Sequence, residues 1–219
     1  MRPLVILGSG DYAQEVLWIV DDINAIEPTW DFLGYIDPAH PEKKGQLHYD
    51  RPILGGFDEA NRLPHDVYFA CGIGKPAYRA KECTAAEQLG WQPATLIHPS
   101  TIVARHVEIG EGTIVGAGSI LAPSARIGRH VAVVLAVSVG HDAVLGDYCV
   151  LSPGARITGH VVLEEQVFIG ANATIYPRRR MGAGASLGAN SFLLTNLAAG
   201  RSAVGIPASP LASPAPSYR

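Results

Sequence analysis

Imidazoles, an adjacent carboxylate, a run of guanidiniums and a glycine turn are the groups in this sequence with chemistry to offer. Five histidines, His98, His106, His130, His141 and His160, fall in the second part of the chain. An imidazole titrates near neutrality and can take a proton from a reacting group. Taken singly, each of the five serves equally well as a solvated turn residue. His141 stands beside Asp142. Arg178, Arg179 and Arg180 are either solvated cations at a local distortion or a contact for phosphate, which a guanidinium fork suits. Gly8-Ser9-Gly10 is either a tight structural turn or a turn whose amides receive phosphate. Cys71, Cys83 and Cys149 have no ligand spacing and no even-numbered framework, so we expect free thiols and no metal site.

What must position these groups is a period of six. From Ile97, every sixth residue through Val103, Ile109, Val139, Leu145 and Ile157 to Leu193 is aliphatic or Met, 17 positions in all. At 47% hydrophobic content, one chosen phase would be filled so by chance about three times in a million, roughly twenty over six phases. The residue four later is usually small or β-branched, as in Val137, Ala143, Cys149 and Ala155. This hexapeptide repeat predicts a parallel β-helix with the aliphatic residue pointing inward and the small one filling the space beside it. His141, two residues past Val139, then projects outward. Arg179 breaks the rule at an inward position, and since a buried unpaired Arg is costly, the spacing predicts a bulge there.

Ahead of the repeat, strand-like runs alternate with helical spacing. Leu4–Leu7 ends in the glycine turn, and Ala13, Val16, Leu17, Val20 and Ile23 follow at helical intervals. Phe32–Ile36 is a second strand closed by Asp37-Pro38, and Val67–Cys71 a third, followed by a helix from Pro76 to about Leu89. Residues from Ala39 to Arg51 read as a surface loop, and Asp58 to Arg62 as a short helix. The alternation predicts a small parallel α/β, Rossmann-like domain with ligands at the carboxyl ends of its strands. We therefore expect an α/β domain over 1–94, a β-helix over 95–208 and a loosely held Ser/Pro/Ala tail over 209–219.

Two stretches together resemble one family, the bacterial hexapeptide-class sugar-nucleotide acyltransferases, which include amino-sugar N-acetyltransferases and sialic-acid O-acetyltransferases. One is the N-terminal module with Gly8-Ser9-Gly10 and Glu15-Val16. The other runs from Val139-Gly140-His141-Asp142 through Gly146-Asp147, Ser152-Pro153-Gly154-Ala155 and Thr158-Gly159, with Gly205-Ile206-Pro207-Ala208 near the end. The resemblance covers nearly the whole chain and implies a left-handed coil, a homotrimer, acetyl-CoA as donor and an active site between adjacent β-helices. It implies that His141 is the general base and that Asp142 orients it. By family position Gly159, Ala171 and Ala189 line the donor groove. Gly10, Asp11 and Tyr12 lie at the acceptor's diphosphate, Asp37 at its ribose or base, and Gly72 where close approach is needed. The sequence departs from the family pattern in three places: Val150 stands where a second His is frequent, Asp11 replaces a Gly, and Tyr12 replaces a His.

The expected function is N-acetylation of a nucleotide-linked amino sugar. O-acetylation of a sugar is the alternative; an NAD-binding protein and a non-catalytic trimeric scaffold are weaker ones, because no second catalytic domain remains for the former and His141-Asp142 argues against the latter. A net charge of −3 gives no footprint for nucleic acid. The first apolar run is too short for a signal or a membrane span, and we expect a cytoplasmic protein.

Overall fold

The computed structural model describes residues 1–211. Its N-terminal part has strands β1 (Arg2–Leu7), β2 (Trp30–Ile36), β3 (Leu47–His48), β4 (Arg51–Gly55), β5 (Tyr68–Cys71) and β6 (Gln92–Pro93), with helices α1 (Asp11–Ile26) and α2 (Pro76–Gln88). They form one sheet in the order β3-β4-β2-β1-β5-β6, parallel except for the β3/β4 pair. Side chains alternate across β1, so both of its faces are apolar. Leu4 and Ile6 pack with Ala13, Val16 and Val20 of α1, whereas Val5 and Leu7 pack with Cys83 and Ala86 of α2. Crossovers leave β1 to opposite sides, which opens a crevice at the carboxyl ends of β1, β2 and β5.

Two local expectations change. The stretch expected as a loop contains a 3₁₀ turn, Pro41–Lys43, and then the β3/β4 hairpin, whose turn residues Tyr49 and Asp50 both have left-handed φ of 49° and 57°. That is the twist a two-residue hairpin requires, and a two-residue strand leaves too little periodicity to read. The Asp58–Arg62 helix is a 3₁₀ segment, Phe57–Arg62.

From Leu96–Ile97 to Phe192–Leu193 the chain is a left-handed parallel β-helix of two-residue strands. Each strand pairs with the one eighteen residues on, as Ile114 with Ala132 and Ser138 with Arg156. Three hexads thus make one coil, and the strands stack into three faces of a prism. The inward set is buried, Val139, Leu145, Leu151, Ile157 and Leu163 among them, together with Ala143, Cys149 and Ala155. Burial of one such aliphatic side chain contributes about 1.5–3 kcal/mol.

The corners carry a second period of six. The third residue past every inward aliphatic from Val103 to Leu187 has left-handed φ: His106, Ser124, His130, Asp142, His160, Asn172 and Arg178 lie between 53° and 62°. Left-handed φ at the second central residue is the mark of a type II turn, and Asp, Asn and His tolerate it better than most.

The bulge expected at Arg179 does not form. Val162 pairs with Arg180 and Leu163 with Met181 in unbroken register. The long side chain instead carries its charge out of the core: Nε donates to Pro177 O at 3.2 Å, and the guanidinium lies 5.9 Å from the Tyr176 ring centroid. Ser209 and Pro210, expected to open a loose tail, are held in a strand. Ala208–Pro210 pairs antiparallel with Ser202–Gly205, which satisfies its backbone, and residues 212–219 lie outside the described residues.

The α/β domain covers one prism face, where outward Leu96, Ile114, Ala132 and Val150 are buried. The contact is reinforced by a buried cation. Arg79 of α2 donates to the carbonyls of Cys71 (2.8 Å) and Ile73 (3.1 Å) in its own domain and to that of His130 in the β-helix. His130 is stacked between Phe69 and Tyr148. Arg79→Ala, which leaves three buried acceptors without their charged donor, is expected to cost about 3 kcal/mol in urea unfolding.

Candidate active site

Among the five β-helix histidines, His106, His130 and His160 occupy left-handed corner positions that their residue type helps to explain. His141 does not. It is the first central residue of the Gly140–Ala143 turn, with Ala143 N–H donating to Gly140 O at 3.3 Å, and Asp142 at φ 55° takes the left-handed place. The turn follows inward Val139 and precedes inward Leu145, so both side chains stand on an outer edge of the prism.

His141 Nδ1 lies 2.8 Å from Asp142 Oδ2 in the same chain. An ionised carboxylate only accepts, so Nδ1 carries the proton and Nε2 is left with a lone pair. The imidazole is open, with 59% of its side chain exposed. The His141 hydrogen bond chiefly holds the Asp142 carboxyl below the usual carboxylate range; His160, His141 and Arg126 add to this and burial opposes it. The left-handed turn swings the Asp142 carboxylate onto its neighbour.

Gly159 lies directly beneath this imidazole, one coil on. A Cβ at Gly159 would fall 2.6 Å from His141 Nε2. Its missing side chain makes room for the ring. Ala171 and Ala189 sit on a different corner edge, stacked one coil apart after inward Ile169 and Leu187. One chain does not bring them together with Gly159.

The other predicted residues do converge. A cleft of about 570 Å³ at the carboxyl ends of β1, β2 and β5 is lined by Gly10, Asp11, Tyr12, Asp37 and Gly72. Asp37, only 4% exposed, accepts from Ser9 Oγ at 2.5 Å and from the His40 amide at 3.2 Å. It thereby ties the glycine turn to the loop after β2. Nothing lies within 4 Å of a Cβ at Gly10, whereas one at Gly72 would meet Ala13 Cα at 2.7 Å. Gly72 is thus required by the packing of α1 on β5 as well as by its place in the cleft. Asp11 sits exposed in the first turn of α1, where it complements the helix dipole. The Tyr12 hydroxyl is buried without a hydrogen-bond partner among the described residues, and burial raises its pKa. Lys43, Lys75 and Tyr78 also line the cleft and were missed in the sequence. Lys43 belongs to the stretch read as a loop, and the only signal for Lys75 was its place after the third strand.

Residues 3–85 match the PglD N-terminal domain family. No curated protein matches the chain. Over 96% of its length the chain superimposes on PerB from Caulobacter crescentus, solved in complex with CoA and GDP-perosamine, at 27% identity, a TM-score of 0.86 and 98% of that chain covered. WeeI from Acinetobacter baumannii AYE matches at 25% identity with a TM-score of 0.87, covering 96% of this chain and 100% of that one. The acetyltransferase domain of PglB from Neisseria gonorrhoeae shares the fold, at 24% identity, a TM-score of 0.86, and 96% and 100% coverage. The N-terminal module thus belongs to the PglD N-terminal domain family, and the whole chain shares the fold of PerB, WeeI and the PglB acetyltransferase domain. The cleft and the His141 edge lie on different sides of the prism within one chain: the α/β domain covers one prism face, and His141 stands on the edge between the other two.

Proposed function

We propose that the protein transfers an acetyl group from acetyl-CoA to the amino group of a nucleotide-linked sugar, with His141 as general base. The observation that carries this reading is the His141–Asp142 pair, standing open on a β-helix edge above a glycine that leaves Nε2 unobstructed. As the amine nitrogen attacks the thioester carbonyl, its proton passes to His141 Nε2. The C–S bond breaks as the amide forms, and the imidazolium returns the proton to the departing thiolate. Asp142, accepting from Nδ1–H, fixes the tautomer and stabilises the charged ring.

The acceptor's nucleotide occupies the cleft of the α/β domain. Asp37 accepts from its ribose or base, and Gly10, Asp11, Tyr12 and Gly72 form the wall, with Lys43 and Lys75 supplying charge for the diphosphate. The donor lies along small residues, Gly159 on one edge and Ala171 and Ala189 on the other. Because those two edges bound the same prism face, a groove containing all three forms between copies of the chain. The assembly is a homotrimer, and the exposed aliphatic side chains of Ile102 (61%) and Ile120 (45%) on that face support it. No helix of the described residues is long and apolar enough to cross a membrane, and we place the enzyme in the cytoplasm with its two substrates.

The test is free-thiol release from acetyl-CoA in the presence of UDP-, GDP- and dTDP-linked amino sugars, with the corresponding hydroxy sugars as controls. Turnover on an amino sugar is expected; hydroxyl-only turnover would reassign the acceptor, and none on any member would overturn the reading. In the same assay Asp37→Ala is expected to raise the acceptor KM about 10- to 100-fold while leaving that of acetyl-CoA unchanged.

A further inference from the structure

We propose that His160 is a positioning residue of the catalytic pair, holding Asp142 against His141 from the next coil. The inference rests on the acyl-transfer reading above, since it assigns a residue to that same base.

An exposed turn does not by itself hold two neighbouring side chains together. Asp142 is nearly half exposed, and sequence neighbours on a turn have no backbone bond that aims one at the other. His160 supplies what is missing. It occupies the same corner position as Asp142 one coil on, with the same left-handed backbone, φ 58° against 55°. Its amide N–H donates to the His141 carbonyl at 3.0 Å. Its ring meets that of His141 edge to face, with centroids 5.0 Å apart and planes at 87°. Its Nε2 lies 3.8 Å from Asp142 Oδ2, the oxygen that His141 Nδ1 already engages at 2.8 Å. One carboxylate oxygen is thus flanked by two imidazoles, and one imidazole is walled by the other. Gly159, beside His160, leaves the floor open, so the second ring and the Asp142 hydrogen bond limit how far the first can turn.

The backbone part of this arrangement survives any substitution, so the side chain can be tested separately. The fold tolerates both replacements of interest at this corner position: Ala136 has φ 52° and Gln166 φ 57°. His160→Ala is expected to lower kcat about fivefold with both KM values unchanged. His160→Gln, which keeps a polar N–H group on the side of Asp142, is expected to recover most of that loss. In an Asp142→Asn background the same His160→Ala change is expected to cost kcat less than it does in the wild type, because the route through the carboxylate has gone and only the ring contact remains. Nitrogen-15 imidazole spectra should show His141 losing its single tautomer in His160→Ala. His141, Asp142 and His160 each present a ligand atom within 4.8 Å of the others, so all assays contain a chelator.

An unchanged kcat in His160→Ala, or an equal loss in both backgrounds, would overturn the proposal. Activity that persists in His141→Ala would instead sink the acyl-transfer role of the pair. The two failures are separate measurements.

Discussion

His141→Ala is expected to retain the fold and to lose about 10²- to 10⁴-fold in kcat, the range for a positioned base. The ring makes no core contact: it is exposed on an edge, and its hydrogen bond runs to an exposed neighbour. The thermal midpoint should therefore move little, and acceptor and donor should bind with near wild-type KM. Thiol-release kinetics beside a melting curve check both halves of the expectation. A variant within twofold of wild type in kcat would show that the amine loses its proton elsewhere. His141→Asn keeps a polar group without a basic nitrogen and should be as slow as alanine, which separates proton transfer from simple contact.

Gly159→Ala is the second large effect, and it should come without instability. Its backbone does not have the left-handed φ that would make a side chain strained. The obstacle is steric: the new Cβ would sit 2.6 Å from His141 Nε2, 2.8 Å from Cε1 and 3.1 Å from Cδ2. The imidazole is exposed and can swing toward solvent at little cost in stability, but it then breaks from Asp142 and leaves the place where the acceptor amine meets it. A displacement of about 1 Å at a reacting group is worth about 10²-fold in rate. We expect a kcat loss of that order, a melting temperature within a degree or two of wild type, and a displaced His141 ring in a crystal structure. The result that would remove Gly159 from the site is full activity in the alanine variant.

The two variants also bear on how the site could be read. Val139 and Leu145 fix the phase, and from the phase alone His141 had to face outward. The β-helix, its inward set and the Gly8–Gly10 turn at the end of β1 were legible for the same reason: periodicity and strand ends are local properties. The β3/β4 hairpin was not, since two residues of strand carry no period. Arg179 misled because periodicity says where Cα points, while a long flexible side chain decides separately where its charge goes. The corner period of left-handed residues was present in the sequence but concealed by its mixed composition, in which Gly, Asn, Asp, His, Gln and Arg all satisfy one backbone demand.

What the sequence by itself determined is the stacking of coils and the outward place of His141, because each follows from contacts repeated every six residues. Only the tertiary structure decided which groups meet across that repeat. Residues eighteen apart become neighbours when coils stack, so it is the third dimension that sets His160 beside Asp142 and Gly159 beneath His141. The same holds for Arg79, whose charge is balanced by carbonyls from two domains, and for Ala171 and Ala189, which stand on the opposite edge from Gly159. None of these distances is encoded in a local pattern, since each depends on where a closed coil returns.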